Sequence, residues 1–273
     1  MRGVGDRARG GCGVRAPGWA AGALSGRFRA ARGGGGGHGS AGDRAGGGGG
    51  GMKAEFWHTR WHENRIGFHQ AEINRFLRRH IDALGPKGPV FVPLCGKSRD
   101  MSWLFEQGRE VIGIEISPLA VEAFYREQKI PVDRVGRGEF LEYQATGVTI
   151  LLGDYFRLTA ELLGPVAAVY DRAALIAMPP ATRRAYAEHM ARLLAPGTPV
   201  LLIAPFSLKD PQSGPPFAVS SSEIQEIFAD HFTVEVLECE RKTAEEDPRL
   251  AEQGLAWREE GVYRLCRRAG REA

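Results

Sequence analysis

The stretch Leu94-Cys95-Gly96-Lys97-Ser98 of this 273-residue chain combines residue types that can hold a ligand, and it follows an apolar run. Gly-Lys-Ser after a strand is typical of the phosphate-binding loop of nucleotide triphosphatases, but that loop needs a second glycine five positions earlier. Phe91 occupies this position. Without glycine there, the backbone cannot readily fold its N–H groups around a triphosphate, so the pattern favours another kind of ligand loop.

A single acid and a single glycine indicate what that ligand is. Glu115 lies 19 residues beyond Gly96, and an acid at this distance is placed to accept hydrogen bonds from ribose hydroxyls. A dinucleotide-binding turn would need Gly-x-Gly-x-x-Gly, whereas Gly96 is the only glycine between Val90 and Phe105. An adenosine ligand without phosphates does not need that close backbone approach. The pattern therefore favours S-adenosylmethionine.

Polar residues after two further apolar runs are candidates for ligand contacts. Asp154 and Tyr155 suit the amino edge and the face of a purine, although an aspartate at a turn is often only a cap. Arg172 directly follows Asp171 and either meets a ligand or forms an ion pair with that neighbour. Cys95 is interpreted as a small packing residue and not as a nucleophile.

The elements that position these residues alternate along the chain. Amphipathic stretches at 98–107, 118–129 and 181–194 separate near-continuous apolar runs, which are typical of strands buried on both faces. The apolar runs are 90–94, 110–116, 148–152, 167–171 and 199–204. Such alternation predicts an α/β fold with a doubly wound, mostly parallel sheet, whose ligands bind at the carboxyl ends of the strands.

The segments before and after these alternating strands and helices have a different pattern of apolar residues. Residues 232–241 and 262–268 alternate apolar and polar side chains, which predicts two antiparallel strands joined by the polar segment 242–261. The prediction is thus a Rossmann-like, seven-stranded sheet with an antiparallel C-terminal pair. Residues 54–83 are helical in pattern and rich in aromatic side chains.

Residues 1–51 differ from the rest in composition and charge. They hold 21 of the 37 glycines and eight Arg against two Asp, so the basic balance of the chain belongs to them. Sequence so poor in apolar residues is expected to be a disordered tail or an extension that is not native, with a targeting segment and a nucleic-acid contact as the alternatives. Residues 52–273 carry 28 Lys and Arg against 31 Asp and Glu, which is unlike a nucleic-acid-binding domain.

The four cysteines and the hydropathy of the chain indicate in which cell compartment the protein is expected. The cysteines are scattered without a Cys-x-x-Cys pair, so we expect reduced thiols in a cytoplasmic protein. No apolar run reaches the roughly 18 residues of a membrane span, and no signal peptide is recognisable.

Five blocks of residues resemble a known family in order and spacing. They are FWHTRWHENRIGFH (56–69), VPLCGKSRDMSWL (92–104), GIEIS (113–117), GDYF (153–156) and YDRAALIAMPP (170–180). Together they resemble the bacterial thiopurine S-methyltransferases, which are class I S-adenosylmethionine-dependent methyltransferases. The likeness runs from Met52 to about Cys266, and the Pro-Leu-Cys-Gly-Lys turn is distinctive of that family.

The resemblance implies roles for individual residues. Those that it places at S-adenosylmethionine are Trp61, Leu94, Glu115, Asp154, Tyr155 and Arg172. Phe68 is implied as a cover on the substrate side, Arg172 as the residue between cofactor and substrate, and Arg249 as a second substrate-binding arginine. A glycine often follows that first arginine in the family, where this chain has Ala173.

The aromatic front segment admits two interpretations. His58 and His62 are four residues apart, so a helix would place both on one face, as zinc ligands require, but a third ligand is lacking. We therefore predict no metal site. A lid of Trp57, Trp61 and Phe68 that excludes water from the methyl donor is the favoured interpretation.

The expected function is methyl transfer from S-adenosylmethionine to aromatic and heterocyclic thiols such as thiopurines, and to selenium and tellurium oxyanion-derived species, with S-adenosylhomocysteine as product. Displacement at a sulfonium methyl needs alignment more than acid–base help, and Arg172 is expected to stabilise the anionic sulfur. A non-catalytic adenosine-ligand sensor or detoxicant-binding protein on the same scaffold is the alternative. A monomer that binds neither nucleic acid nor membrane is expected.

Overall fold

A computed structural model describes residues 54–206, 214–252 and 254–270. These residues lie in one compact unit, Gly50–Ala273. The predicted tail, residues 1–51, lies outside the described residues.

The described residues form one sheet of nine strands with the order β3-β4-β5-β2-β1-β6-β7-β9-β8. The strands are β1 Val90–Val92, β2 Val111–Glu115, β3 Asp133–Arg137, β4 Phe140–Ala145, β5 Val148–Leu152, β6 Ala168–Arg172, β7 Pro199–Phe206, β8 Phe232–Thr243 and β9 Trp257–Arg267. The five central strands β5, β2, β1, β6 and β7 are parallel. The pairs at both edges are antiparallel.

The predicted fold class is confirmed, and all seven predicted strands are present. The strand count differs because the hairpin β3–β4 adds two strands that the sequence pattern did not indicate. Every residue of β3 is exposed and its sequence DRVGR has no apolar alternation, since it lies at the edge of the sheet. β9 begins at Trp257 and not at residue 262 as predicted, so it includes the last five residues of the segment 242–261 that was predicted as a polar connection.

Eight α-helices connect the strands within the described ranges. They are α1 Ala54–His62, α2 Arg75–Arg79, α3 Asp100–Glu106, α4 Pro118–Gln128, α5 Ala160–Leu163, α6 Pro180–Leu193, α7 Ser221–Phe228 and α8 Pro248–Glu252. Ser117 is the N-cap of α4 in position, with Pro118 following, but its hydroxyl makes no capping hydrogen bond. None of these helices is long and apolar enough to cross a bilayer.

Two hydrophobic cores cover the two faces of the sheet. Phe91, Val169 and Leu202 point to the face covered by α6 and α7, whereas Val90, Tyr170 and Leu201 point to the opposite face. Because the central strands are buried on both faces, their sequences read as continuous apolar runs.

The strand order reverses beside β1. The chain passes from β1 to β2 and β5 on one side and then crosses to β6 and β7 on the other. In open sheets of this kind the carboxyl ends of the strands diverge at the reversal and leave a crevice for a ligand. The polar residues singled out in the sequence lie at this edge.

Candidate active site

A cleft that is partly open to solvent lies at the carboxyl ends of β1, β2 and β6. This edge of an open α/β sheet is a preferred place for small-molecule sites. The lining residues are Trp57, Trp61, Phe68, Leu94, Gly96, Glu115, Ile116, Ala173, Ile176, Ala177, Pro215 and Pro216. Four of the predicted site residues, namely Trp61, Phe68, Leu94 and Glu115, are therefore brought together.

The turn after β1 has an unusual backbone at the cleft. Leu94 has φ of +47° and Gly96 has φ of +54°, both in the left-handed region. A left-handed leucine costs of order 1–3 kcal/mol and is held only where its surroundings determine it. Cys95 between them is buried, its sulfur packs against Gly113, and burial raises its pKa well above the ordinary value. This supports the interpretation of Cys95 as a packing residue.

Glu115 is the one carboxylate among the described residues that line the cleft. Its Oε1 accepts hydrogen bonds from the N–H groups of Ile116 (2.9 Å) and Ser117 (2.8 Å), and its Oε2 accepts from the N–H of Gly96 (2.8 Å). Burial raises its pKa, and these three donors, together with His58, oppose that rise. A carboxylate has about four acceptor positions, so one remains for a ligand hydroxyl.

Trp61 packs directly on the backbone of that turn. A Cβ added at Gly96 would lie 3.3 Å from the indole Cζ2 atom, which is closer than nearly all side-chain contacts. The glycine thus serves two purposes, since it adopts the left-handed conformation and it gives the indole room beside Glu115.

The aromatic front segment forms one wall of the cleft. The ring of Phe68 meets Trp57 and Trp61 edge to face, with centroid distances of 6.1 and 5.7 Å. His58 Nε2 lies 3.1 Å from the carbonyl oxygen of Ile116 and so joins α1 to the end of β2. Within the described ranges, no group of three or more His, Cys, Asp or Glu side chains could hold a metal ion.

Arg172, the last residue of β6, joins the sheet to this front segment. Its half-buried guanidinium donates a hydrogen bond of 3.0 Å from Nη2 to the carbonyl oxygen of Phe68. Ala173, the next residue, lines the cleft with φ of +69°. The left-handed backbone gives a physical reason why glycine would suit this position.

Asp154 and Tyr155 are not among the residues lining the cleft. Asp154 is exposed and its carboxylate caps the short helical turn Tyr155–Arg157 by accepting from the N–H of Phe156. The Tyr155 ring is buried between Phe91 and Tyr186, and its hydroxyl donates to the Tyr186 carbonyl. The expectation that this ring offers its face to adenine therefore does not fit the structure, and only its backbone lies at the end of β5.

Arg249 is also absent from the cleft lining. It lies in α8 with a side chain that is 78% exposed, and its guanidinium pairs with Asp247 at 2.8 and 3.0 Å. Its predicted substrate role gains no support from this geometry.

Trp57, Gly96 and Ala173 also line the cleft and were discussed in the sequence analysis, Trp57 as part of the predicted lid. The remaining five lining residues were not singled out from the sequence: Ile116, Ile176, Ala177, Pro215 and Pro216. Ile176 and Ala177 belong to the quoted block that begins at Tyr170, so a signal for them was present. The two prolines lie far along the chain, and no local pattern connects them with the strands.

The sheet order, the crevice beside β1 and the buried acid at the end of β2 define the class of S-adenosylmethionine-dependent methyltransferases. A solved structure of this class is 1,6-didemethyltoxoflavin-N1-methyltransferase from Burkholderia thailandensis, determined with S-adenosylhomocysteine bound. It matches with a TM-score of 0.53 over 79% of this chain and 87% of its own. At 17% identity this likeness shows the fold.

The profile of the family described as Thiopurine S-methyltransferase matches residues 52–268. Proteins named thiopurine S-methyltransferase from Nitrosospira multiformis and Shewanella loihica are 42% and 44% identical over 219 residues. These alignments cover 80% of this chain and 99% or 100% of the relatives. The chain belongs to the thiopurine S-methyltransferase family and is a methyltransferase.

Proposed function

We propose that the cleft binds S-adenosylmethionine and presents its methyl group to a heteroaromatic thiol. The observation that carries this proposal is the buried Glu115 carboxylate, which lines the cleft with one acceptor position left after three backbone hydrogen bonds. That arrangement suits a ribose hydroxyl. Among the described residues, the lining includes no lysine or arginine and only one glycine, so it suits a nucleoside without phosphates.

The residues around Glu115 hold the remaining parts of such a ligand. Leu94 and Trp61 provide apolar surface in the same cleft as Gly96, and the backbone of Asp154 and Tyr155 follows the end of β5, which pairs with β2, so that an adenine edge would lie there. When bound, S-adenosylmethionine supplies a methyl group that is already activated by its sulfonium. The task of the chain is then to align the acceptor and to exclude water.

The outer part of the cleft suits a flat apolar acceptor. Ile176, Ala177 and the two prolines at 215 and 216 line the same cleft as Phe68 and Trp57, and Glu115 is the only ionisable side chain among the described lining residues. A thiol reacts as its thiolate, and heteroaromatic thiols ionise more readily than cysteine. The site therefore needs no dedicated base. Because an acceptor that is already an anion also needs none, we extend the proposal to anions derived from selenium and tellurium oxyanions.

Arg172 supplies the positive charge that such an anion needs. Its hydrogen bond to the Phe68 carbonyl uses one of its five N–H donors, and the described residues offer it no second acceptor. Its charge also acts on His69, whose pKa is lowered chiefly by burial and then by Lys97, with a smaller contribution from Arg172, while Glu127 opposes the change. We infer that Arg172 stabilises the thiolate sulfur or its water shell electrostatically.

The cellular setting is part of the proposal. The partner is a small thiol or metalloid anion, and nucleic-acid binding is not proposed because residues 52–268 bear more acidic than basic side chains. We propose a monomer in the cytoplasm, because the scattered cysteines fit a reducing compartment.

Incubation of the full chain with methyl-labelled S-adenosylmethionine and either 6-mercaptopurine or selenite tests the function. Transfer of label to the thiol supports the proposal, and transfer to selenite supports its extension. Binding of the donor without transfer to any thiol would instead identify a sensor on the same scaffold.

A further inference from the structure

Asp171 is a buried carboxylate that the proposed reaction does not yet use. Its side chain has no exposed surface, and its Oδ2 accepts a hydrogen bond of 2.8 Å from the hydroxyl of Tyr186 on α6. Within the described part of the chain its Oδ1 is buried without a hydrogen-bond partner of normal geometry. Burial raises its pKa to about 6, and the Tyr186 hydroxyl and the N–H groups of Leu175 and Ala174 oppose that rise.

A second buried aspartate, Asp100, shows how a carboxylate is hydrogen-bonded elsewhere in the same core. Asp100 on α3 accepts from the Tyr170 hydroxyl (2.8 Å) with Oδ2 and from the N–H of Asn74 (2.9 Å) with Oδ1. Both of its oxygens are satisfied, as expected of a carboxylate that stabilises a fold. The Oδ1 of Asp171 makes no such bond of normal geometry, and the N–H groups of Ala174 and Leu175 offset its burial only in part, so its charge still costs stability that a neutral side chain would keep.

Asp171 lies next to Arg172 on β6, and its side chain points to the opposite face of the sheet. Side chains alternate along β6, so Tyr170 and Arg172 point to the face of α3 and the front segment, while Asp171 points to α6. The turn that follows Asp171 contains the left-handed Ala173, and the N–H groups of Ala174 and Leu175 in that turn favour the charged Asp171 carboxylate, although neither makes a hydrogen bond of normal geometry to Oδ1.

We propose that Asp171 is a positioning residue, whose carboxylate holds the turn 172–175 in its left-handed form and thereby directs the guanidinium of Arg172 toward the acceptor. The proposal rests on the proposed function of Arg172. It goes beyond that function by assigning the direction of Arg172 to a group that never touches the ligand.

The variant Asp171→Asn separates this role from a structural one. Asparagine has the same shape but one acceptor oxygen, so it can serve Tyr186 or the turn but not both. It also removes the buried charge. We expect a free energy of unfolding at neutral pH no lower than that of the parent, together with a loss of about tenfold or more in kcat/KM, mainly in kcat. The Kd for S-adenosylmethionine should change less than about threefold, since the turn lies on the acceptor side.

Tyr186→Phe and Tyr125→Phe are the matched variants. Tyr186→Phe leaves both carboxylate oxygens to the turn, so it should lower stability and keep kcat/KM within about threefold. Tyr125 is buried away from the cleft and donates to the carbonyl oxygens of Tyr143 and Val148. Its phenylalanine variant should therefore lose stability without any change in kcat or KM.

A readout without ligand keeps the test independent of the proposed function. Release of the turn should weaken the bond from Arg172 to Phe68 and speed tryptic cleavage after the exposed Arg65 in native Asp171→Asn, but not in Tyr125→Phe. Activity and cleavage rate of Asp171→Asn equal to the parent would overturn the proposal, as would a loss of stability that accounts for all of the lost activity. An inactive parent would refute the proposed function, and the cleavage rates would still decide whether Asp171 holds the turn.

Discussion

The backbone N–H of Gly96 donates a hydrogen bond of 2.8 Å to the carboxylate of Glu115, so the turn after β1 and the end of β2 are held together by the residue proposed to grip the ribose. Ligand contact and loop geometry therefore depend on the same two residues. A substitution at either one should change both the affinity for the donor and the stability of the fold.

Gly96→Ala tests this coupling. The added Cβ would be strained at φ of +54° and would meet Trp61 at 3.3 Å. We expect unfolding to become easier by about 1–2 kcal/mol and binding of S-adenosylmethionine, measured by calorimetry, to weaken severalfold. Gly67→Ala is the matched control, because a Cβ at that position meets nothing within 4 Å. Equal effects of the two substitutions would show that the packing of Trp61 on the turn has no role in binding.

Arg172→Ala should lower kcat/KM for a thiopurine by about 100-fold, the usual cost of losing an electrostatic stabiliser of a developing or bound anion. Calorimetry should show a change of less than about threefold in the Kd of S-adenosylmethionine. Arg249→Ala, at an exposed arginine paired with Asp247, is the comparison and should leave both constants near the parent values. An unchanged rate for Arg172→Ala would remove the role given to its guanidinium.

Ala173→Gly and Ala173→Val test the left-handed turn. Glycine adopts φ of +69° without strain but loses more entropy on folding, so the free energy of unfolding should stay level or rise by up to about 1 kcal/mol. Valine is branched at Cβ and should lower it by about 2 kcal/mol. Chemical denaturation measures both, and equal stability of the two variants would contradict the left-handed conformation.

The free energy of unfolding should differ between the parent and Asp171→Asn by an amount that depends on pH, because only the parent carries the charge of Asp171. Because the folded pKa, about 6, exceeds the ordinary value of 3.8, the folded state holds this proton where the unfolded state has released it. Between about pH 4 and pH 6 the parent therefore loses about 3 kcal/mol of stability that the asparagine variant keeps. The groups facing this carboxyl, Tyr186 and Tyr155, have pKa values raised well above 10, so they stay neutral in this range.

The measurement is the free energy of unfolding of both proteins by denaturant titration from pH 4 to pH 7.5. The advantage of the variant should grow with pH and level off above about pH 6. A difference that is constant over this range, or that shrinks as pH rises, would mean that Asp171 does not titrate with a raised pKa.

The parallel centre of the fold could be predicted from sequence because β1, β2 and β5–β7 are buried on both faces and leave continuous apolar runs. The hairpin β3–β4 could not, because β3 is an exposed edge strand whose residues face solvent and carry no periodic signal. The pattern of apolar residues in a strand thus reflects how deeply that strand is buried. An exposed edge strand has no such pattern, and it forms because the neighbouring strand offers it hydrogen-bond partners.

The candidate site shows a similar division. Glu115 was predicted from its spacing to Gly96, whereas the roles of Leu94, Trp61 and Phe68 were implied by the family resemblance. All four line the cleft. Tyr155 follows a strand in the same way, but its ring turns into the core, and spacing alone does not say which way a side chain after a strand points. Pro215 and Pro216 reach the cleft through tertiary packing that no local pattern encodes.

The most direct test of the central claim is a calorimetric titration of S-adenosylmethionine into the full chain, Glu115→Gln and Glu142→Gln. Glu142 is a matched control, because it is equally buried but lies on β4 away from the cleft and pairs with Arg137. The parent and Glu142→Gln should bind alike, and Glu115→Gln should bind about 10–100-fold more weakly, as loss of a charged hydrogen bond predicts. Binding by Glu115→Gln equal to the parent, or heat from NADH or ATP but none from S-adenosylmethionine, would contradict the account.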